Sequence, residues 1–158
     1  VSASSERLVA ARLLIRVEAG AFSSRMLGSG SGPGVRSRVL GVLRWQRALD
    51  HVLAPHLRRP LADLDPEVRA VLRLGLYEAV LLGVPAAVAT DGAVHLARRV
   101  GRGSASGLVN AVLRRAVARW PEVEAASPDV RWSHPEWLFR RWSHRLGEAA
   151  ALAVMSAN

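Results

Sequence analysis

The segment GRGSASGLVNAVLRRAVARW, Gly101–Trp120, runs a glycine- and serine-rich loop straight into a helix-forming sequence. Leu108 or Val109, Val112, Leu113, Ala116 and Trp120 recur at helical spacing and make one apolar stripe. Asn110 with Arg114, and Arg115 with Arg119, form i,i+4 pairs off that stripe. Arg98, Arg99 and Arg102 precede the helix, so residues 98–120 carry six arginines and no acid. A helix start presents unpaired N–H groups and the positive end of the backbone dipole. Surrounded by guanidinium groups, it suits a phosphate. The competing reading is a buried helix whose outer face is solvated by arginine.

The same helical period extends through the chain. Residues Ser5–Ala19 read as a first helix capped by Ser4 or Ser5 and stopped at Gly20. Ala10, Leu14, Val17 and Ala21 lie on its inner face, with Arg12 and Arg16 opposite. A short turn over Ala21–Leu27 turns Phe22 and Met26 inward, and GSGSGPG (Gly28–Gly34) is a linker. That linker lacks both a following Gly-Lys-Ser/Thr and a preceding strand, so it is no phosphate loop. Val35–Leu57 reads as one long helix or two nearly collinear ones, broken at Pro55. Its Trp45 is either core or a platform for a stacked base.

Asp65-Pro66-Glu67 combines a capping acid, a proline at the first helical position and an acid in the first turn. The helix it starts runs to Leu82 with Val68, Val71, Leu72, Leu76, Ala79 and Val80 inside. It is the most apolar and least basic element, hence the expected centre of the core, and Gly75 admits a close neighbour. Ala87–Val100 follows, with Gly101 as its closing residue. Beyond Pro121, residues 121–131 read as loop. Ser133 or His134 then caps a helix with Pro135 at its first position and Leu138, Trp142 and Leu146 inward. Gly147 stops it, and Glu148–Ser156 forms the last helix.

With half of its 158 residues apolar and no alternating strand pattern, the chain is expected to be all-α, in one domain with a short appendage. Net charge is +9, and every basic residue is arginine. The charge is unevenly placed: +7 over residues 1–59, −3 over 60–97, +6 over 98–120 and −1 over 121–158. Two separated basic segments brought together by folding would make the footprint of a polyanion binder.

The sequence contains no cysteine, which excludes disulfides, thiolate zinc sites and thiol nucleophiles within these residues. His51, His56, His95, His134 and His144 show neither zincin spacing nor close pairing with carboxylates. Ser104 and Ser106 have no neighbouring base and read as helix caps. No catalytic residue and no metal site is therefore assigned, and the chain by itself is not read as an enzyme. A run long enough to span a membrane is missing, as is a signal-peptide core at the amino end. A soluble, cytoplasmic protein with neither a membrane nor a metal as partner is the expectation.

Three stretches stand in a suggestive order: GVLRWQRALDHVL (41–53), LRLGLYEAVLLGVP (72–85) and SGLVNAVLRR (106–115). Together with the tail HPEWLFRRWSHRLGEAAALAVMSAN (134–158), they resemble the NusB-like domain at the front of the RsmB (Sun/Fmu) family of bacterial small-subunit rRNA cytosine-C5 methyltransferases. The resemblance implies a NusB-like helical bundle of two packed sub-bundles over residues 1–120. A helical linker over 121–158 would then lead to a catalytic domain absent from this sequence. It also implies RNA, small-subunit rRNA in particular, and the enzyme's own catalytic domain as partners. S-adenosylmethionine would be bound by that other domain, and this chain would hold no cofactor. By the family pattern the expected RNA contacts are Arg7, Arg12, Arg16, Arg98, Arg99, Arg102, Arg114 and Arg115, and Ser106 and Asn110 at the same helix start are taken as RNA-binding with them. The chain carries Ala87 where many relatives have histidine, and Asp91-Gly92 where Asn-Glu is common. A free-standing antitermination or adaptor protein, pairing with a ribosomal protein through tryptophans such as Trp137 and Trp142, is the alternative.

Overall fold

A computed structural model describes residues 2–21, 27–28 and 31–158. Eight α-helices are found among the described residues: α1 (Ala3–Glu18), α2 (Pro33–Leu53), α3 (Pro66–Val80), α4 (Ala86–Arg99), α5 (Ser106–Arg119), α6 (Pro128–Arg131), α7 (Glu136–Leu146) and α8 (Glu148–Ala157). No strand occurs among them. Phe22 and Met26, expected inward, lie outside the described residues.

Helix α3 is central: ten of its 15 residues are buried. It packs against α1, α2, α4 and α5, and Val68, Val71, Leu72, Leu74 and Leu76 are sealed from solvent. Gly75 is what permits the close crossing: a Cβ there would sit 2.8 Å from Leu113 Cδ1 of α5 and 2.9 Å from Ala93 Cβ of α4. Gly41 of α2 does the same for the Tyr77 ring, which a Cβ would overlap.

Local signals end the helices largely as expected, with three corrections. Ser2, rather than Ser4 or Ser5, caps α1 by accepting from the Ser5 N–H at 3.2 Å. Asp65 stands at the cap position of α3 but its carboxylate does not cap; it turns toward Arg102, 3.3 Å away. Ser133 caps nothing either. Its buried hydroxyl accepts from the Arg47 and Ala48 N–H groups of α2 at 3.1 and 3.3 Å, and Pro135 takes the cap position of α7.

Within the first group of helices, α1–α5, ionic contacts tie α1, α2 and α3 together. Glu78, 1% exposed, accepts from Arg7 Nε at 2.8 Å and from Arg38 Nε at 2.6 Å, while Arg38 Nη1 also donates to Glu6 at 3.0 Å. One carboxylate thus links α1, α2 and α3. Arg73 grips Asp50 through two bonds of 2.8 and 2.9 Å, joining α3 to α2. Burial outweighs this arginine and pushes the Asp50 carboxyl above its usual range.

Helices α7 and α8 form a second group, packed on each other. Residues 121–131 are not the expected loop: Trp120–Ala125 is a 3-10 turn, α6 follows, and Val123 and Val130 are buried. Helix α7 is also less buried than its stripe predicted. None of its residues is fully enclosed, and Leu146 is 54% exposed, whereas Ala151 and Met155 of α8 are completely covered. The tail is held to α2 by Asp129, which accepts from Arg47 Nε at 2.9 Å, and by Arg44, which donates to the Trp132 and Asn158 carbonyls at 2.7 and 3.0 Å.

Candidate nucleic-acid interface

The end of α4 is built from local chemistry. Gly101 takes φ +81°, a left-handed conformation that favours glycine, and the Arg102 N–H bonds back to the Ala97 carbonyl at 2.8 Å. The chain then makes one 3-10 turn, Gly103–Ala105, and enters α5 with Val109, Val112, Leu113 and Ala116 buried. Arg114 and Arg115 therefore fall on the exposed side.

Folding sorts the expected contact residues into three groups. Arg12, Arg16, Arg98, Arg114 and Arg115 are exposed and make no ion pair or side-chain hydrogen bond among the described residues. Arg99 donates from Nη1 to the Ser4 hydroxyl at 2.9 Å and to the Ser4 carbonyl at 3.1 Å. That contact joins the first turn of α1 to the segment that opens the α5 site. The third group is engaged internally. Arg7 is committed to Glu78, and Arg102 lies 3.3 Å from both Asp65 and Glu67 at the start of α3.

Gly92 explains how Arg7 reaches its partner: a Cβ at that position would sit 2.7 Å from Arg7 Nη1. The bare glycine gives the guanidinium room between α1 and α4. Asn110 and Arg114 border an open groove of about 390 Å³ between α4 and α5, shared with Thr90 and Asp91. Ser106, read as a cap, caps nothing; its buried hydroxyl has no hydrogen-bond partner among the described residues.

Two features lay beyond reach of the sequence reading. One is the Glu78 network, although an acid inside an apolar helix is itself a sign of buried partners. The other is the gathering of Trp45, Trp120 and Trp132 around one hollow. No spacing rule connects those positions. Among the described residues no group of three or more His, Asp or Glu side chains is placed to hold a metal, and no helix is long and apolar enough to cross a membrane.

A wholly helical bundle around one apolar helix, with exposed arginines at a glycine-rich helix start, defines a class of small helical domains. The model of the NusB family matches residues 4–118, and the chain belongs to that family. Among curated relatives, the ribosomal RNA small subunit methyltransferase B of Thermus thermophilus is 46% identical over 112 residues, 71% of this chain and 26% of the relative. Its counterpart in Xanthomonas campestris is 36% identical over 163 residues, 97% of this chain and 36% of the relative. The transcription antitermination protein NusB of Stenotrophomonas maltophilia is 41% identical over 86 residues, 54% of either chain. The chain thus spans about a quarter to a third of the length of these methyltransferase relatives. The solved structure of T. maritima NusB shares the fold, with TM-score 0.67 and 22% identity over 75% of this chain and 92% of that one.

Proposed function

We propose that this chain is a non-catalytic RNA-binding module that positions small-subunit rRNA for a methyltransferase acting on cytosine C5. The observation carrying this choice is the extent of the similarity. A methyltransferase relative aligns with 97% of the chain, so the likeness continues through α6–α8, whereas the antitermination relative aligns with 54%. On this reading residues 1–120 are the RNA-binding unit and 121–158 the extension toward a cytoplasmic enzyme's catalytic domain. On the same reading S-adenosylmethionine is bound by that catalytic domain, by analogy with the methyltransferase relatives.

Arg12, Arg16, Arg98, Arg114 and Arg115, with Asn110 and the α5 start, are the proposed contact surface. Arginine contacts to phosphate supply affinity and orientation but little sequence choice, so the target is selected by RNA shape and by the catalytic domain. An anisotropy titration with a labelled rRNA hairpin at several salt concentrations tests the proposal. The expected log–log slope is about −0.7 to −0.9 per phosphate neutralised. A flat profile overturns it. Amide shift mapping is expected to move Arg12, Arg16 and residues 101–115 together.

The free-standing adaptor reading retains one supporting observation: Trp137 on α7 is 62% exposed, as a protein-docking anchor would be. Loss of a ribosomal-protein partner on Trp137→Ala, with RNA affinity unchanged, would favour that alternative.

A further inference from the structure

Trp45 from α2, Trp120 after α5 and Trp132 after α6 border one hollow of about 500 Å³. All three tryptophans are half-buried; Trp45 and Trp120 pack on the core, and with Trp132 they border the same unfilled space.

Two guanidinium groups stand against these rings. Arg44 lies 5.2 Å from the centroid of Trp45, and Arg131 lies 4.9 Å from that of Trp132. Arg44 is fixed by its bonds to the Trp132 and Asn158 carbonyls. Arg131 is freer: its side chain is 42% exposed, and its partner Glu124, 80% exposed, is 3.5 Å away. Arg131 and Glu124 are the charged residues that border the hollow, so a phosphate would take the guanidinium from that loose, exposed pair. Apolar ring faces beside it suit a flat, π-rich group that carries negative charge. A nucleotide has both parts, since its base stacks on indole and its phosphate pairs with guanidinium. The volume falls within the range of small-ligand pockets, roughly 300–1,000 Å³.

We infer that the Trp45–Trp120–Trp132 hollow takes an unpaired RNA base by stacking, with Arg131 on its phosphate. The inference rests on the RNA reading above and adds a site at the other end of α5. That helix has 14 residues, about 20 Å at 1.5 Å per residue. Arg114 and Arg115 lie along it, and Arg119 immediately precedes Trp120. A strand entering at the glycine-rich start and following α5 would thus bring a base to the indoles. Such stacking tolerates any base, so single-stranded extensions of a hairpin are the expected occupants.

The test uses the full chain carrying Trp137→Phe and Trp142→Phe, so that emission reports only the three pocket tryptophans. Hexaadenylate and hexauridylate are added, and indole fluorescence is read alongside anisotropy of the labelled oligonucleotide. Saturable quenching by both is expected, with Trp132→Phe weakening binding severalfold. Arg131→Glu, at the exposed rim, is expected to weaken it at least as much. Trp120→Ala would lose roughly five- to a hundredfold by the usual worth of one stacked base. Trp120 also packs on the core, so the two milder variants decide the matter if that one fails to fold.

Hairpin binding without oligonucleotide quenching, or quenching indifferent to Trp132→Phe and Arg131→Glu, overturns the inference and leaves the RNA reading standing. Failure of the hairpin to bind at all removes both. Quenching by a proline-rich peptide but not by oligonucleotides assigns the hollow to a protein partner and overturns the inference.

Discussion

Glu78 shows how one side chain constrains several others. A carboxylate in an apolar helix is stable only when its charge is met, and Arg7 and Arg38 meet it from two different helices. Replacing Glu78 by alanine takes from Arg7, 13% exposed, its carboxylate partner and leaves Arg38, 11% exposed, with Glu6 alone. The expected cost is about 3–5 kcal/mol, the usual penalty for removing one partner of a buried pair; urea unfolding measures it. A loss below about 1 kcal/mol would show that water already screens the network. His134 offers a second residue-scale prediction. Burial, and next the charge of Arg44, hold its pKa below the ordinary 6.5, so the fold favours the neutral ring. Its stabilising contribution is therefore complete above pH 6.5 and is lost as pH falls through the lowered folded value. Its ring meets Trp142 edge-on at 5.7 Å, so the indole emission of Trp142 is expected to report loosening of α7–α8 on acidification. His134→Gln should remove that pH dependence, and an unchanged profile would refute the assignment.

At the scale of elements, α3 is set by contact rather than by propensity. Alanine at position 75 would raise helix propensity by about 1 kcal/mol. Yet the added methyl would meet Ala93 Cβ at 2.9 Å, and neither α3 nor α4 can yield without moving backbone. Overpacking of this kind costs about 1–3 kcal/mol, so Gly75→Ala is expected to lower Tm; a rise would mean the helices separate freely. The element boundaries were legible where the signal is local: Pro66 at the first turn of α3, Gly101 after α4 and Gly147 after α7. Side-chain roles at those boundaries were not. Asp65, Ser106 and Ser133 carry capping chemistry, but Asp65 and Ser133 turn to partners contributed by distant segments and the Ser106 hydroxyl is buried uncapping. Residues 121–131 misled for a related reason: two prolines and scattered acids suggest a loop, while burial of Val123 and Val130 pulls them into helical turns.

For the whole molecule, the question is which of the 22 arginines are available to a partner. Arg114→Ala and Arg115→Ala are each expected to reduce the magnitude of the salt slope for hairpin binding by about 0.7–0.9. Arg7→Ala is expected to act through stability instead, leaving that slope unchanged once the fold is restored by lower temperature. A slope that falls with Arg7→Ala and not with Arg114→Ala would invert the proposed surface. The sequence by itself determined the helical class, the order of the helices, the apolar centre at α3 and the two basic segments, because periodicity, proline, glycine and charge act over a few residues. Only the tertiary structure decided which charges are used up inside. Arg7 and Glu78 are 71 positions apart, and Arg38 and Glu78 are 40 apart. No local pattern encodes such pairs, since a guanidinium group on the outer face of an isolated helix becomes internal only when another helix closes over it.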